Sequence, residues 1–368
     1  MLAPVAKELA RQGVERRLLS LTALRGFRSP QPEFAPSATP VESLTPSWFE
    51  RERDSKAVSG SPTSSRRRWL RRLLWSLLLG PAIRRRLDDA SAIAVVPNDS
   101  AFPYDRIVRL LHRLGIPYLL LQEGIRFPLP GETDSRYGLG GAAALAVWGE
   151  ASAAHFASLD IAHDTIHVTG NPRFDGDTAL AARPAQPTLA LVTNPIDDQG
   201  FCSQGEKLAL AAEFVRRFLA ARTSDGVRLL LRTHPGESRG SYLELLASEQ
   251  RARVEVANHE NLDALLDDST AVVVMASTVG LEALRRGRPI AVLPIPGHGY
   301  VHDYVARRAA IGLVLDSALP QQVEELLAPP TDRRAVDRYL ESHLAHRGFA
   351  AERVAGLIIA GMEDRCSR

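Results

Sequence analysis

The sequence predicts an α/β protein built from two Rossmann-like halves, each a parallel sheet, with the two sheets facing a central cleft. Three observations carry that expectation. From about residue 90 short apolar runs alternate with amphipathic stretches of ten or so residues, the pattern of strands joined by crossover helices. The alternation restarts after Ala182-Arg183-Pro184-Ala185-Gln186-Pro187, a proline-bearing hinge. A chain of 368 residues is also about twice the size of one ordinary domain.

The elements follow in order. "APVAKELARQGV" reads as an amphipathic helix and "ERRLLSLTA" (15–23) as a strand, so the chain opens inside a βαβ unit whose first strand is missing. Residues 29–47 are rich in proline and serine and read as loop, extended here to 29–65. Residues 66–86, "RRRWLRRLLWSLLLGPAIRRR", hold eight arginines and no acid, with Trp69, Leu70, Leu73, Leu74, Leu77 and Leu78 at helical spacing. That is either a surface helix with solvated arginines or an interfacial helix on anionic lipid. Strands are expected at 92–97, 118–124, 144–149 and 165–170, with helices at 105–115 and 152–159 between them.

In the second half, strands are expected at 188–194, 227–235, 253–257, 270–276, 289–294 and 312–317, with a long helix at 205–223. Residues 296–312 read as a loop followed by a helix, and 331–368 as helices packing back on the first half. The domain boundaries are thus 1–183, 184–330 and 331–368.

Composition narrows the class. The 45% apolar and 24% charged residues fit a globular protein. Only three of 45 basic residues are lysines, as in proteins of GC-rich bacterial genomes. Residues 1–90 carry 17 basic against 9 acidic groups, an excess that suits an anionic surface or phosphorylated partner. Nothing points to nucleic acid. Two cysteines, Cys202 and Cys366, exclude a disulfide framework and a zinc site. The start lacks a signal-peptide core, and the longest apolar run is far short of the ~20 residues of a spanning helix. A cytoplasmic location is expected, peripheral on the inner face of the membrane if 66–86 binds lipid.

The chemistry should sit where strands end, because helices after parallel strands present free N–H groups there. Residues 276–294, "ASTVGLEALRRGRPIAVLP", run from one apolar strand into a helix and on to the next strand. Ser277 and Thr278 are capping types at that bend. With Gly280 and the positive helix end they form a seat for phosphate, while Glu282 can take ribose hydroxyls. The bland alternative is an ordinary capped helix. Three further strand ends are polar: Thr193 and Asn194; His234 in "RTHPGES"; and Asn171 with Arg173 in "VTGNPRFD".

These motifs resemble the nucleotide-sugar glycosyltransferases of the GT-B architecture, over residues 90 to 330. The similar stretches are "LLQEGIRF", "VWGE", "VTGNPRFD", "RTHPGE" and "ASTVGLEALRRGRPI". The nearest branches are bacterial surface-polysaccharide enzymes, CDP-glycerol glycerophosphotransferases and UDP-N-acetylglucosamine 2-epimerase. The resemblance implies that His234 approaches the donor's phosphate and sugar, that Ser277 and Thr278 hold pyrophosphate, and that Glu282 takes ribose. It implies a nucleotide-sugar donor, a glycan or lipid-linked acceptor, no cofactor and no metal.

Glu123 of "LLLQEGIRF" is the candidate base for the acceptor hydroxyl, or else a partner of Arg126. The glycerophosphotransferases carry a His-Gly pair here and the epimerase pattern places its carboxylate one residue earlier, so a sugar transferase leads. An epimerase, a glycerophosphotransferase and a catalytically silent binding protein remain as alternatives. Arg126, Asn171, Arg173, His298 and Tyr300 are further candidates for acceptor or sugar contacts.

Overall fold

Tyr118-Leu119-Leu120-Leu121 is buried along its whole length, which a strand achieves only when both faces of its sheet are covered. The same holds for Ala271-Val272-Val273-Val274. In this computed structural model, residues 1–21, 31–44, 73–87, 92–126, 136–176, 180–234, 237–257, 262–329 and 332–366 are described. They fall into two units, one taking residues up to 176 and those from 341 onward, the other residues 180–340.

The first unit is built on a four-stranded parallel sheet, β3 (Ala94–Val96), β4 (Tyr118–Leu121), β5 (Ala144–Val147) and β6 (Ile166–Val168), in sequence order. Alternation along β4 divides its core. Tyr118 and Leu120 join Val108 and Leu111 of α4 (Tyr104–Arg113) and Phe156 of α5 (Glu150–Ala157). Leu119 and Leu121 face the other way, onto Val5 and Leu9 of α1 (Leu2–Arg11) and Val354, Ala355 and Ile358 of α13 (Ala350–Cys366). The last helix of the chain therefore covers one face of a sheet begun near residue 94.

Residues 29–47, expected as loop, contain structure. Strand β1 (Leu18–Ser20) pairs in parallel with β2 (Val41–Ser43), and α2 (Gln31–Phe34) with a tight turn at Ala35–Ser37 lies between them. Proline is tolerated in a first helical turn, where its missing N–H costs nothing, and Pro36 stands there. Three residues of β2 are too few for alternation to show. Of the basic stretch 66–86, residues 66–72 lie outside the described residues. The rest is helical, a wide turn at Trp75–Leu79 leading into α3 (Gly80–Arg84). Leu79 and Ile83 pack with Leu44 and Leu110, while Leu73, Leu77 and Leu78 are exposed. Among the described residues no helix is long and apolar enough to cross a membrane.

The second unit holds a six-stranded parallel sheet: β7 (Thr188–Val192), β8 (Arg228–Arg232), β9 (Val254–Val256), β10 (Ala271–Val274), β11 (Ile290–Val292) and β12 (Ile311–Gly312). Its spatial order is β12-β11-β10-β7-β8-β9. The chain thus steps outward from β7 to β9, returns to the other side of β7, and steps outward again. Leu189, Leu191, Leu229, Leu231 and Val273 pack on Phe214 and Phe218 of α6 (Gln204–Ala220) and Val323 and Leu326 of α11 (Leu319–Leu327). Alternate residues Ala190, Val192, Leu230, Val272 and Val274 are buried on the opposite face, where α10 (Val279–Arg285) lies against β10 and β11. Short helices α7 (Arg239–Leu243), α8 (Ser248–Arg251) and α9 (Leu262–Asp267), like α11, carried no clear signal in the sequence. Helix α12 (Arg334–His343) carries the chain from the second unit into the first.

Two expectations fail locally. The strand expected over 312–317 stops at Gly312. The Val314 N–H turns to the Gln322 side chain at 2.9 Å instead of extending the ladder. The helix expected within 296–312 is absent too. Residues 302–310 run through successive turns and bends that sink Tyr304 completely into the core, with the Ala309 and Ala310 N–H groups both on the Tyr304 carbonyl.

Candidate functional site

In a doubly wound sheet the two halves of the winding diverge beyond the carboxyl ends of two neighbouring strands, and a crevice opens there. Here those strands are β7 and β10. The residues immediately beyond them are Thr193-Asn194 and Met275-Ala276-Ser277-Thr278. A hydrogen bond spans the divide: the Asn194 side-chain amide donates to the Ala276 carbonyl at 2.6 Å. That bond fixes which end of the amide is nitrogen, so the Asn194 Oδ1 acceptor is turned elsewhere, buried and without a hydrogen-bond partner among the described residues.

The bend at 276–279 is tightly made. Ser277 is buried; its Oγ accepts the Val279 N–H at 3.2 Å, and its carbonyl accepts the Gly280 N–H at 3.3 Å and the Tyr304 hydroxyl at 3.1 Å. Thr278, half-buried, starts α10 with no side-chain bond to the helix, and its carbonyl receives the Leu281 and Glu282 N–H groups. Glu282 is buried one turn further on. The first-turn amides are thus occupied, the leading two by long bonds. Gly280 is buried as well, and a Cβ there would come within 2.9 Å of the Tyr304 ring and 3.1 Å of Ile290. The space that glycine leaves is filled by Tyr304.

His234 lies two residues beyond β8, the strand next to β7. Its side chain reaches the surface, yet the protein around the ring desolvates the imidazolium. That effect, with the charges of Arg232 and Lys207, holds His234 below the ordinary histidine range; Glu237 and Asp198 act in the opposite sense. The neighbouring strand ends are cross-linked by Glu237. Its carboxylate takes the Thr193 hydroxyl at 2.6 Å, the His234 N–H at 3.0 Å, the Tyr242 hydroxyl at 2.9 Å and Lys207 Nζ at 2.6 Å. Lys207 also binds Asp197 at 2.6 Å. Burial works against its charge, but the two carboxylates more than offset this and raise its pKa.

Sequence reasoning missed this network and Tyr304. One signal was available. Lys207, one of only three lysines, falls on the otherwise apolar face of α6 with Leu210, Ala211 and Phe214, and a buried lysine requires carboxylates.

The remaining candidates are dispersed. His298 is exposed beyond β11 and meets Phe201 edge-on at 5.5 Å, whereas Tyr300 donates its hydroxyl to the Leu313 carbonyl at 3.0 Å. In the first unit, Glu123 is exposed at the end of β4, with its N–H held by the Tyr137 hydroxyl at 2.7 Å. The Arg126 guanidinium lies 4.0 Å from the centre of the Tyr137 ring. Asn171 is buried and caps a short turn by accepting the Arg173 N–H at 3.0 Å; Arg173 itself is exposed. Among the described residues no three His, Cys, Asp or Glu side chains are gathered so as to hold a metal ion.

Residues 183–300 match the family model described as capsule polysaccharide biosynthesis protein. No curated protein sequence matches the chain. Among solved structures, the chain is similar to the S. aureus MnaA–UDP co-structure, with a TM-score of 0.62 at 15% identity over 98% of this chain and 93% of that one. It is similar also to Methanocaldococcus jannaschii UDP-GlcNAc 2-epimerase in complex with UDP-GlcNAc and UDP, TM-score 0.63 at 12% identity, covering 98% and 96% of the two chains. The glycotransferase of kitacinnamycin gives 0.56 at 16% identity, covering 98% and 94%. At such identities the likeness is one of fold. The chain has the GT-B fold, and its second unit carries the match to the capsule polysaccharide biosynthesis family.

Proposed function

We propose that the chain is a glycosyltransferase of bacterial cell-surface polysaccharide assembly, moving a sugar from a nucleotide-activated donor to a glycan or lipid-linked acceptor. One observation carries the reading: the switch point between β7 and β10 is bridged by Asn194 and Ala276 and surrounded by Thr193, Ser277 and Thr278, with a buried carboxylate, Glu282, behind it. Such a crevice suits a nucleoside diphosphate. Two further findings support it. The capsule-family match covers the same residues, and two proteins of similar fold were solved with UDP or UDP-GlcNAc.

In this reading the pyrophosphate lies against the turn Ser277–Gly280 and the Thr278 hydroxyl, and the ribose meets Glu282. His234 stands beside the leaving phosphate. As the acceptor oxygen bonds to the anomeric carbon, the bond from that carbon to the diphosphate oxygen breaks. The acceptor's proton passes to a carboxylate, for which Glu123 is the candidate. Negative charge grows on the departing diphosphate, and stabilising that charge is the main electrostatic demand of the step, for which the Thr278 hydroxyl and His234 are the candidates. Arg126, Asn171, Arg173, His298 and Tyr300 are candidates for contacts with the sugars. No metal takes part, so transfer is expected to persist in EDTA. The work would be done on the cytoplasmic face of the membrane, with exposed Leu73, Leu77 and Leu78 and the exposed Arg84 and Arg85 toward anionic lipid.

A thermal-shift screen against UDP, CMP, CDP, GDP and dTDP tests the donor site, with stabilisation by one base family expected. Replacing Ser277, Thr278 and Glu282 together by alanine should abolish that shift; an undiminished shift would remove the site. Glu123→Gln should stop turnover. Isomerisation of UDP-N-acetylglucosamine without any acceptor would identify an epimerase instead.

A further inference from the structure

We propose that Glu237 is the positioning residue of the donor site, fixing the backbone of His234, and that Lys207 is present to keep a charged carboxylate at that depth. The inference rests on the reading above that His234 meets the diphosphate.

The geometry is specific. The Glu237 side chain is 7% exposed and accepts four hydrogen bonds, two on each oxygen. The donors come from four places: Lys207 of α6, Tyr242 of α7, Thr193 at the end of β7 and the His234 N–H beyond β8. The tie to His234 is made twice, because the Glu237 N–H returns to the His234 carbonyl at 2.8 Å. With both backbone groups of His234 bound to one residue, the pivot of its imidazole is set while the ring stays exposed.

A carboxylate so enclosed is costly unless a cation is paired with it. Lys207, 4% exposed, is that cation, and its second partner Asp197 spends its remaining charge. Lys207 is therefore not free to meet a ligand. Glu237 in turn is saturated with donors, and acts on the ligand only through the loop it holds.

The test uses the full chain and the nucleoside diphosphate, among UDP, CDP, GDP and dTDP, that most stabilises the wild type. Glu237→Gln keeps the shape and removes the charge. Glu237→Asp keeps the charge beside Lys207 but withdraws the oxygen from the His234 N–H, so it guards against a fold that fails without an ion pair. Both variants are expected to lose at least roughly tenfold in affinity, since small displacements of a reacting group are expensive.

Histidine resonances, assigned with His234→Asn, report on the surroundings of the ring itself, which a stability change elsewhere in the fold would not move. Removing the charge of Glu237 from a loop that stays in place should move the His234 titration further below its wild-type position, because Glu237 raises it and Arg232 and Lys207 lower it. A loop released into water would instead titrate upward, toward an ordinary histidine. Affinity within twofold of wild type in both variants overturns the proposal, as does a His234 titration left at its wild-type position in Glu237→Gln. If the wild type binds none of the four nucleotides, or His234→Asn binds as well as wild type, the functional reading itself falls.

Discussion

His234 meets its proposed ligand from an unusual electrostatic starting point. With its pKa held below the ordinary value, the ring is mostly neutral near pH 7, chiefly because its imidazolium is desolvated. A diphosphate brought beside it would favour the charged form and raise the pKa. Binding must then take up a proton, and by linkage affinity must rise as pH falls through the bound-state pKa. It levels off below the free-state pKa, which lies beneath the usual histidine figure. The ligand's own terminal phosphate, with a pKa of about 6, works in the opposite sense, so His234→Asn is the needed reference. Calorimetry in buffers of differing ionisation enthalpy should give more proton uptake in the wild type than in the variant, which shows only the contribution of the phosphate; equal values would disprove the coupling. Gly280 makes a second point at this scale. The sequence places Gly280 in a seat for phosphate, but the space where its Cβ would stand is taken by Tyr304. Gly280→Ala forces Cβ against a ring buried on all sides, an overpacking expected to cost about 1–3 kcal/mol. Urea unfolding measures it, and a cost near zero would mean that the Tyr304 ring can withdraw.

At the scale of elements, legibility follows length and apolar content. The central strands β4, β7, β10 and β11 were readable because a strand buried on both faces must be nearly all apolar, as "YLLL" and "AVVV" are. The long helix α6 was readable from its amphipathic pattern; its start is held by Ser203 and Glu206, which form a capping box with bonds of 2.8 and 3.2 Å. Strand β2, the short helices and the turns around Tyr304 were hidden, since each is fixed by distant partners. The candidate site divides the same way. Its polar strand ends were visible, whereas Glu237 gains its meaning only when α6, α7 and two strand ends converge on it.

The start of α13 shows such a distant partner at work. Asp175, which the sequence presents only as the end of "VTGNPRFD", accepts the N–H groups of Gly348, Ala350 and Ala351 at 3.1, 2.9 and 2.5 Å. It caps a helix that begins 175 residues later. Asp175→Ala should cost about 0.5–2 kcal/mol and fray the first turn of α13 in hydrogen exchange. Within that same helix Gly356 is exposed and has open space where a Cβ would stand. Gly356→Ala should therefore stabilise by about 0.5–1 kcal/mol, and a loss of stability there would mean that α13 is packed more closely than the structure shows.

At the scale of the whole molecule, the two units differ in how they are closed in sequence. Residues 180–340 contain all six strands of their sheet, and helices from the same stretch cover both faces. The first unit is discontinuous: Val354, Ala355 and Ile358 of α13 lie over Leu119, Leu121 and Ala146, strands laid down more than 200 residues earlier. Burying each large side chain of such a layer contributes about 1.5–3 kcal/mol, and domains as a whole are stable by only about 5–15 kcal/mol. An isolated fragment 180–340 is accordingly expected to unfold cooperatively in urea and, on the functional reading, to gain stability from the nucleotide that stabilises the full chain, about 2.7 kcal/mol at a hundredfold excess over Kd. A fragment 1–176 lacks the layer that α13 supplies and should expose an apolar sheet face, binding a hydrophobic dye and unfolding without a sharp transition. Supplying residues 341–368 in trans should restore a cooperative transition to it. Failure of 180–340 to fold, or equal cooperativity of 1–176 with and without the C-terminal peptide, would show that the division of the chain does not mark where folding is independent.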